Sequence, residues 1–414
     1  MKTRKASIWL AVLAVLAMFA AACGSDTAVS AVSDAAPDAA DTATDAAGAA
    51  TDAVSGDEED AMADDAAMPG AGKSANMGRA NWSSGYVQAS ILHDLLEEMG
   101  YDVSSPDGLE FAPDLGYQTM ASGEMDFWAN SWYPGHLSWW EGDLPDGTKI
   151  GDNLTRLEGS LMPGGGLQGM LVTKAWADAE GFTTLDEINA DEALWSQLDT
   201  DGNGKGEFYG CPEDWTCDDI MASQIEFAGW TQLEQTQAGY DAMFAEFLQK
   251  AQDGEPAIIY TWTPTAYLAQ AIPGETTMWL SMNNESVLDD SNPLDKEGGE
   301  SYCQRCAPDG TVNDDIGYQG LGDDVCLIGP DGCQVGWRAA NIEITANTEW
   351  LDDNPAARGL FEVFKPPLID LAIAGVDLAN SDGAQADVDR IAADWIANNR
   401  DLADSWIADA LAAA

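Results

Sequence analysis

The stretch GYDAMFAEFLQKAQDGEPAIIYTWTPTAYL, residues 239–268, contains both kinds of element that set the fold class. Apolar residues recur with a helical period from Tyr240 to Gln252, and Gly254 supplies a helix C-terminus. The apolar run from Glu255 to Trp262 predicts a buried strand, which ends at the turn signal of Pro264. A helix followed directly by a buried strand is typical of an α/β fold.

The rest of the chain repeats this alternation of short apolar strands and amphipathic helices. Helices are predicted from Gln88 to Met99, closed by Gly100, and near the C-terminus over Pro355–Val363, Val388–Asn398 and Leu402–Leu411. No internal repeat of 20 to 50 residues is visible. The sequence therefore predicts the α/β class for the folded body.

The N-terminus carries the features of an export signal. Lys2, Arg4 and Lys5 precede an apolar run from Ile8 to Phe19, which is too short for a comfortable membrane span. Small residues and then Cys23 follow, as in the cleavage site of a lipoprotein. We therefore expect a lipoprotein signal peptide over residues 1–22, lipidation of Cys23, and an extracytoplasmic protein tethered to the outer face of the cytoplasmic membrane or periplasmic.

The next segment, residues 23–76, reads as a disordered acidic stalk. From Ser25 to Gly72 it has twelve acidic residues and no basic one. Such a composition buries too little apolar surface to fold, and its charges repel one another. About 340 residues remain, enough for two lobes of ordinary size.

Acidity is not confined to the stalk. The chain has 72 Asp and Glu against 17 Lys and Arg, a formal net charge of −55. Nucleic acid and anionic membrane surfaces are therefore excluded as expected partners, since both repel such a surface. A saline habitat explains an acidic surface, and the charge favours a cationic or zwitterionic ligand over an anionic one.

Four segments present tryptophans on separate loops: RANW ending at Trp82, FWANSWYPGH with Trp132, GCPEDWTC with Trp215, and YTWTP with Trp262. A quaternary ammonium ion has no N–H, so a protein must surround it with the negative faces of aromatic rings. Three indole faces supply roughly 3 to 6 kcal/mol. Core packing is the ordinary alternative for any single tryptophan.

The order of motifs extends this interpretation. NSWYPGH is followed by GGGLQGMLV, LDTDGNGKGEFYGC, WTC, the stretch quoted above and NPAARGLF. This order resembles the glycine betaine-binding proteins of ABC osmoprotectant uptake systems over nearly all of residues 78–414. The resemblance implies a two-lobed periplasmic-binding-protein fold with a ligand cleft between the lobes. It implies lobe one over 77–169 plus 341–414, lobe two over 170–340, and two crossing hinge segments near Gln168 and Ala340.

Carried over residue by residue, the resemblance implies a cage of Trp132, Trp215 and Trp262. It implies that His136 and the backbone amides of Thr216 and Cys217 hold the ligand carboxylate. The chain departs from the family's Trp-Thr-Pro-Leu-His at Tyr133 and Gly135, and has Thr216 where Gly is common. Candidate additional walls are Trp82, Trp128 and Tyr133, with core packing as the alternative.

The function implied is a non-enzymatic receptor that delivers a betaine to an ABC permease. Its ligand is glycine betaine, proline betaine or a choline-like compound, with no cofactor and no metal. The rival is a secreted carbohydrate-binding protein or carbohydrate-active enzyme, because tryptophan platforms and abundant carboxylates also describe sugar clefts. A glycosidase requires two carboxyl groups at a set distance across the bond.

The cysteines beyond Cys23 suit an oxidising compartment. Cys211 and Cys217 flank Trp215, and we expect a disulfide that pins this loop. Four more lie in a Gly- and Asp-rich insertion at about 292–335: Cys303, Cys306, Cys326 and Cys333. Two disulfides are favoured over zinc there, because Cys-x6-Cys is poor zinc spacing, and the pairing is left open.

The loop from Asp199 to Gly210 matches the first half of an EF-hand calcium loop. Asp199, Asp201 and Asn203 take the first ligand positions, but the twelfth position is Gly210 instead of a bidentate carboxylate. A tight polar turn is therefore the preferred interpretation, with weak calcium binding as the alternative.

Overall fold

The computed structural model of the protein describes residues 68–291, 302–317 and 319–414. The predicted signal peptide, Cys23 and the stalk as far as residue 67 lie outside the described residues, as does the segment 292–301 of the insertion. Within the described ranges, no helix is long and apolar enough to cross a membrane.

The helices follow the amphipathic patterns of the sequence. In the described residues they are α1 (Tyr86–Glu98), α2 (Pro113–Ala121), α3 (Lys174–Glu180), α4 (Leu185–Ala190), α5 (Glu192–Trp195), α6 (Thr216–Ala228), α7 (Tyr240–Asp253), α8 (Thr348–Asp353), α9 (Pro355–Val363), α10 (Leu368–Ala379), α11 (Gln385–Asn398) and α12 (Arg400–Ala413). The predicted helices correspond to α1, α7, α9, α11 and α12, within three residues at each end. Gly254, in a left-handed conformation, ends α7 as its sequence position indicated.

The strands of the described residues are β1 (Ser74–Ala75), β2 (Met77–Ala80), β3 (Asp102–Val103), β4 (Glu110–Phe111), β5 (Phe127–Tyr133), β6 (Leu154–Thr173), β7 (Gly206–Tyr209), β8 (Leu233–Thr236), β9 (Ile258–Thr263), β10 (Thr277–Leu280) and β11 (Ala340–Asn347). Nine of them form one sheet in the order β4-β2-β5-β11-β6-β9-β7-β8, with β10 also paired to β6. With helices alternating along the chain, this mixed sheet confirms the predicted α/β class.

The long strand β6 joins two groups of strands. Its first part pairs with β11 as far as Gly166, opposite Ala340. From Leu167 to Val172 it pairs instead with β9. We call β4, β2, β5, β11 and the first part of β6 the first half-sheet, and β9, β7, β8, β10 and the rest of β6 the second half-sheet.

Parallel strands bring separate loops to one edge in each half-sheet. In the first, β2 runs parallel to β5, so the loop after Ala80 lies beside the end of β5 at Tyr133. In the second, β7 runs parallel to β9, so the loop after Tyr209 lies beside the end of β9. The carboxyl ends of parallel strands are where α/β sheets bind ligands. All four tryptophan segments lie at these strand ends.

The folded part begins earlier than the sequence indicated. Ser74–Ala75 pairs with Asp102–Val103, and the Gly70 N–H donates to the Met99 carbonyl at 3.0 Å. The predicted end of the stalk at residue 76 is therefore wrong by several residues. The composition of Ser74–Ala75 gives no strand signal, because its residues are small or polar. The strand is held in place by its backbone hydrogen bonds to the distant segment Asp102–Val103, and not by its side chains.

Candidate ligand-binding site

An aromatic cavity of about 590 Å³, counting its mouth open to solvent, lies between the two half-sheets. It is lined by all six residues that the resemblance assigned to ligand contact: Trp132, His136, Trp215, Thr216, Cys217 and Trp262. Trp82, a candidate additional wall, also lines it. Residues from four distant parts of the chain therefore meet around one space.

Each wall is positioned by the end of a regular element. Trp132 is the penultimate residue of β5 and Trp262 that of β9, and both strands end at a cis X-Pro bond. Trp215 is the N-cap residue of α6, and Trp82 stands between β2 and a short 3-10 turn. Elements of the core thus hold the tryptophans, so the walls need little ordering when a ligand enters.

Three indoles form consecutive walls at steep angles to one another. The ring centroids of Trp215 and Trp82 are 5.3 Å apart with an interplanar angle of 68°, and those of Trp215 and Trp262 are 5.4 Å apart at 77°. Tyr240 stacks on Trp215 at 5.7 Å and 20°. This aromatic support fixes Trp215 between its neighbours, as edge-to-face and offset-stacked pairs do.

The buried side chain of Asn130 connects two walls. Its Oδ1 accepts the indole N–H of Trp82 at 2.8 Å and that of Trp132 at 2.6 Å. Trp132 also packs so closely over Gly166 that a Cβ there would lie 2.6 Å from its ring. The side-chain oxygen of Asn130 therefore orients the indoles of Trp82 and Trp132, and the absence of a side chain at Gly166 leaves room for the indole of Trp132. Sequence reasoning missed Asn130, because an Asn inside an apolar strand gives no signal of its partners.

Replacing Asn130 by leucine is expected to weaken binding of a quaternary ammonium ligand about tenfold or more, since two buried indole N–H groups lose their acceptor. Asn130→Asp, which keeps the oxygen, should recover most of that loss. Titration calorimetry with tryptophan fluorescence checks both variants. Equal loss in the two variants would contradict the orienting role.

Indole N–H groups also bond across the cavity between the half-sheets. Trp215 Nε1–H donates to Asn81 Oδ1 at 3.0 Å, and Trp262 Nε1–H donates to Ser84 Oγ at 3.1 Å. In the opposite direction, Trp139 Nε1–H donates to Thr216 Oγ1 at 2.7 Å. Trp215 and Trp262, the walls that belong to the second half-sheet, therefore each line the cavity and also donate an indole N–H hydrogen bond to a residue of the first half-sheet.

His136 is neutral and oriented. Its Nδ1 accepts the backbone N–H of Trp132 at 3.1 Å and lies 2.9 Å from the hydroxyl of Tyr117. Because Nδ1 is an acceptor, the ring proton is on Nε2. Burial lowers the pKa of His136 to about 3. His136 thus offers one N–H to the cavity without a charge.

Acidification from pH 8 to pH 5 is expected to lower the free energy of unfolding by about 2 kcal/mol through His136 alone. The folded pKa of about 3 lies below the ordinary 6.5, so the unfolded chain binds the proton first. This contribution is complete above pH 6.5 and is lost as the pH falls towards 3. Urea unfolding of the protein and of His136→Gln at both pH values checks it.

The matched control is His93→Gln, because the carboxylate of Asp94 raises the pKa of His93. Removing His93 should therefore increase the acid loss, whereas removing His136 should reduce it. Identical pH dependence in the protein and His136→Gln would refute a buried neutral imidazole. Betaine affinity should stay constant over the same range.

The start of α6 lines the cavity beside the loop that carries His136. Thr216 and Cys217 are its first two residues and line the cavity. The first amides of a helix have no acceptor within the helix and carry the positive end of its dipole. This terminus suits a carboxylate, as expected for these two amides.

The expected disulfide between Cys211 and Cys217 is present, and it encloses Trp215. The cysteines of the insertion also form two disulfides, Cys303–Cys306 and Cys326–Cys333, so the preference over zinc is confirmed. Each disulfide joins two cysteines that follow one another in the order of the cysteines along the chain. The sequence had left this pairing open.

Two candidate walls are wrong. Trp128 is buried behind Trp82, with ring centroids 5.9 Å apart, and packs against Gly116 instead of lining the cavity. Tyr133 is buried on the other side of β5, where its hydroxyl lies 2.7 Å from Thr345 Oγ1. Successive side chains of a strand point to opposite faces, so Tyr133 and Trp132 face different sides.

Other lining residues were missed by sequence reasoning. Tyr260 lies two residues before Trp262 on β9, and its hydroxyl donates to Gln168 Oε1 at 2.6 Å. The strand period of two was an available signal for Tyr260. Gln304 and Arg338 also line the cavity. Neither lies in a motif, and only tertiary structure brings them here.

The loop after Asp199 has the hydrogen bonding of a polar turn. Asp199 accepts the N–H groups of Gly202 at 2.8 Å and Gly204 at 3.1 Å, and Asp201 accepts that of Asn203 at 2.9 Å. Carboxylate oxygens of Asp199, Asp201 and Glu207 lie within 4.8 Å of one another. The two Asp carboxylates therefore already satisfy the loop's own backbone, as the preferred interpretation expects.

An α/β fold whose two half-sheets enclose an aromatic cavity is the arrangement expected of a solute-binding protein. The sequence model of the family described as the substrate binding domain of ABC-type glycine betaine transport systems matches residues 73–398. The chain belongs to this family. The resemblance drawn from its motifs is thereby confirmed.

Individual relatives cover nearly the whole chain. The glycine betaine-binding periplasmic protein OusX of Dickeya dadantii is 27% identical over 353 residues, 85% of this chain and 93% of the relative. The glycine betaine/proline betaine-binding periplasmic protein of Escherichia coli is 26% identical over 349 residues, 84% and 93% of the two chains.

Solved structures share the fold. An ABC-transporter choline binding protein in complex with choline superposes with a TM-score of 0.56 at 14% identity, covering 82% of this chain and 96% of that chain. Lactococcal OpuAC, closed on glycine betaine, gives a TM-score of 0.53 at 15% identity, covering 81% and 99%. The predicted periplasmic-binding-protein fold is confirmed.

Proposed function

We propose that the protein is an extracytoplasmic receptor that binds glycine betaine or a related quaternary ammonium compound and delivers it to an ABC permease. The observation that carries the proposal is the set of indole walls around one cavity with neutral donors beside it. Trp82, Trp132, Trp215 and Trp262 surround the cation, and each desolvated face contributes about 1 to 2 kcal/mol. The family and the named ligands of the relatives support this ligand class.

The other end of the ligand is a carboxylate. His136 Nε2–H and the first amides of α6 are uncharged donors that suit it, which favours a betaine over choline. A hydroxyl in place of the carboxylate leaves these donors poorly satisfied, and such mismatches reduce affinity strongly. We therefore expect choline to bind more weakly than glycine betaine.

The carbohydrate-active alternative lacks support at this cavity. Among the described lining residues there is no Asp or Glu, although the chain has 72 such residues. Glycoside hydrolysis commonly requires two carboxyl groups beside the scissile bond. A non-enzymatic receptor accounts for the cavity without them.

A second, wider cavity borders the first and shares Trp82 and Trp215 with it. Its lining includes Asp214, Asp241 and Asp382 among several aromatic rings. Carboxylates along an opening raise the local concentration of cations. This acidic opening therefore supports the approach of a cationic headgroup.

Closure of two lobes over the ligand completes the proposal. Lobe one comprises residues 77–169 and 341–414, and lobe two comprises 170–340. The change of β6 partner between Gly166 and Leu167, opposite the start of β11, supports crossings near Gln168 and Ala340. Cross-cavity bonds from Trp215 and Trp262 form only when the lobes are together, so ligand capture and closure become one event.

The test is titration calorimetry of the purified protein with glycine betaine, proline betaine, choline and a neutral sugar, with tryptophan emission followed in parallel. Saturable betaine binding with an emission change, weaker choline binding and no response to sugar are expected. A saturable response to the sugar alone would reverse the assignment. Export and lipidation of Cys23 are checked by globomycin-sensitive processing of the full chain.

A further inference from the structure

The cavity contains one charged side chain among its described lining residues, and it is a cation. Arg338 lines the space together with Trp132, His136 and Trp262. It lies two residues before β11, at the crossing from the insertion into the first half-sheet. In a chain of net charge −55, an arginine among the residues that line the binding cavity is the opposite of what the surface composition favours.

Arg338 also differs from every other described arginine. Arg79 pairs with Glu110, Arg156 with Glu343 and Arg358 with Asp352. Arg305, Arg390 and Arg400 likewise have carboxylate partners. Across residues 68–291, 302–317 and 319–414, no carboxylate lies within salt-bridge distance of Arg338.

This lack of a counter-ion is unfavourable at a half-buried position. Burial and the nearby positive charge of Arg156 both lower the pKa of Arg338. An arginine nevertheless stays protonated at physiological pH, so the charge remains and is incompletely solvated. A negative group that enters the cavity removes this penalty.

The insertion holds Arg338 in place. The backbone N–H of Arg338 donates to Gln304 Oε1 at 3.2 Å, and Gln304 Nε2–H donates to the Tyr302 carbonyl at 2.7 Å. Gln304 lies inside the turn closed by the Cys303–Cys306 disulfide and is itself a lining residue. The cross-linked turn is therefore a wall of the cavity and fixes the backbone from which the guanidinium extends.

We propose that Arg338 is the counter-ion of a carboxylate on the ligand and restricts the site to zwitterions, discriminating against quaternary ammonium ions without a negative group. The proposal rests on the proposed function and assigns its preference for zwitterions to one charged residue. The planar guanidinium donates two parallel N–H bonds to a carboxylate, a geometry that neutral His136 does not offer. The same charge repels a monocation that has no carboxylate. Arg338 therefore raises the affinity for zwitterions and lowers the affinity for monocations.

The test compares Arg338→Met with the unaltered protein, using glycine betaine as the zwitterion and tetramethylammonium as the monocation. Methionine keeps an unbranched apolar stem and removes the charge. We expect the variant to bind glycine betaine about 10- to 100-fold more weakly and tetramethylammonium equally or more tightly. Arg338→Lys should recover part of the betaine affinity, because it keeps the charge but not the fork.

Arg390→Met is the control, since it removes the same charge from an exposed site on α11. It should leave both affinities unchanged, and circular dichroism with a thermal melt establishes folding of each variant. Equal weakening of both ligands by Arg338→Met, or no effect on betaine, overturns the inference. Failure of the unaltered protein to bind either compound overturns the proposed function itself, a result seen before any variant is made.

Discussion

Replacing Trp215 by alanine is expected to weaken betaine binding about 100-fold or more. The change removes a cation-binding face worth up to about 2 kcal/mol and the central member of an aromatic cluster. Trp82, Trp262 and Tyr240 all contact this ring, so its loss leaves each of them less firmly placed. The hydrogen bond to Asn81 across the cavity disappears as well.

Titration calorimetry measures the effect, and two further variants apportion it. Trp215→Phe keeps an aromatic face but has no N–H, so its remaining loss relative to the protein reports the bond to Asn81 and the smaller ring. Trp195→Ala, on α5 and not a lining residue, controls for removal of an indole as such. Binding by Trp215→Ala within threefold of the unaltered protein would remove Trp215 from the cage.

Removing the Cys211–Cys217 disulfide by a double serine substitution is expected to lower both stability and affinity. The chain-entropy estimate for so short a loop is about 2 kcal/mol of unfolding free energy. Affinity should fall about tenfold or more, because the loop carries Trp215 and leads into the first amides of α6. A less constrained loop must be ordered when ligand binds, and that ordering opposes binding.

The second disulfide of similar span supplies a matched control. Cys326 and Cys333 are seven positions apart in the sequence, against six for Cys211 and Cys217, and neither Cys326 nor Cys333 lines the cavity. The corresponding double serine variant should lose comparable stability in urea unfolding while its betaine affinity stays near that of the protein. Equal affinity losses in the two variants would assign the effect to global stability, and not to the binding loop.

The sequence was a good guide wherever a local pattern carries the information. Helix α9 has the predicted bounds of Pro355–Val363, because a proline start and a strong apolar face are local signals. The strand β9 and its penultimate residue Trp262 were recognised from an apolar run before a proline. The ordered motifs also identified the family and six lining residues, since motif spacing reflects a shared fold.

Local sequence patterns were a poor guide to which aromatic rings line the cavity and which pack in the core. Trp82, Trp128 and Tyr133 were equal candidates, yet only Trp82 lines the cavity. The difference lies in their neighbours: Trp128 fills the space above Gly116, and Tyr133 reaches Thr345 on another strand. Neither Gly116 nor Thr345 is close in sequence to the ring that it contacts, so no short stretch of sequence shows which ring lines the cavity.

By itself, then, the sequence determined the α/β class, the family, the acidic character and the oxidised cysteines, because these follow from composition, period and motif order. Only the tertiary structure decided that Asn130 orients two walls, that His136 is neutral, and that Arg338 lines the cavity with no carboxylate partner in the described part of the chain. Burial and pairing depend on residues far apart in the chain. A charge or an amide acquires its role from those distant partners, which a single sequence does not display.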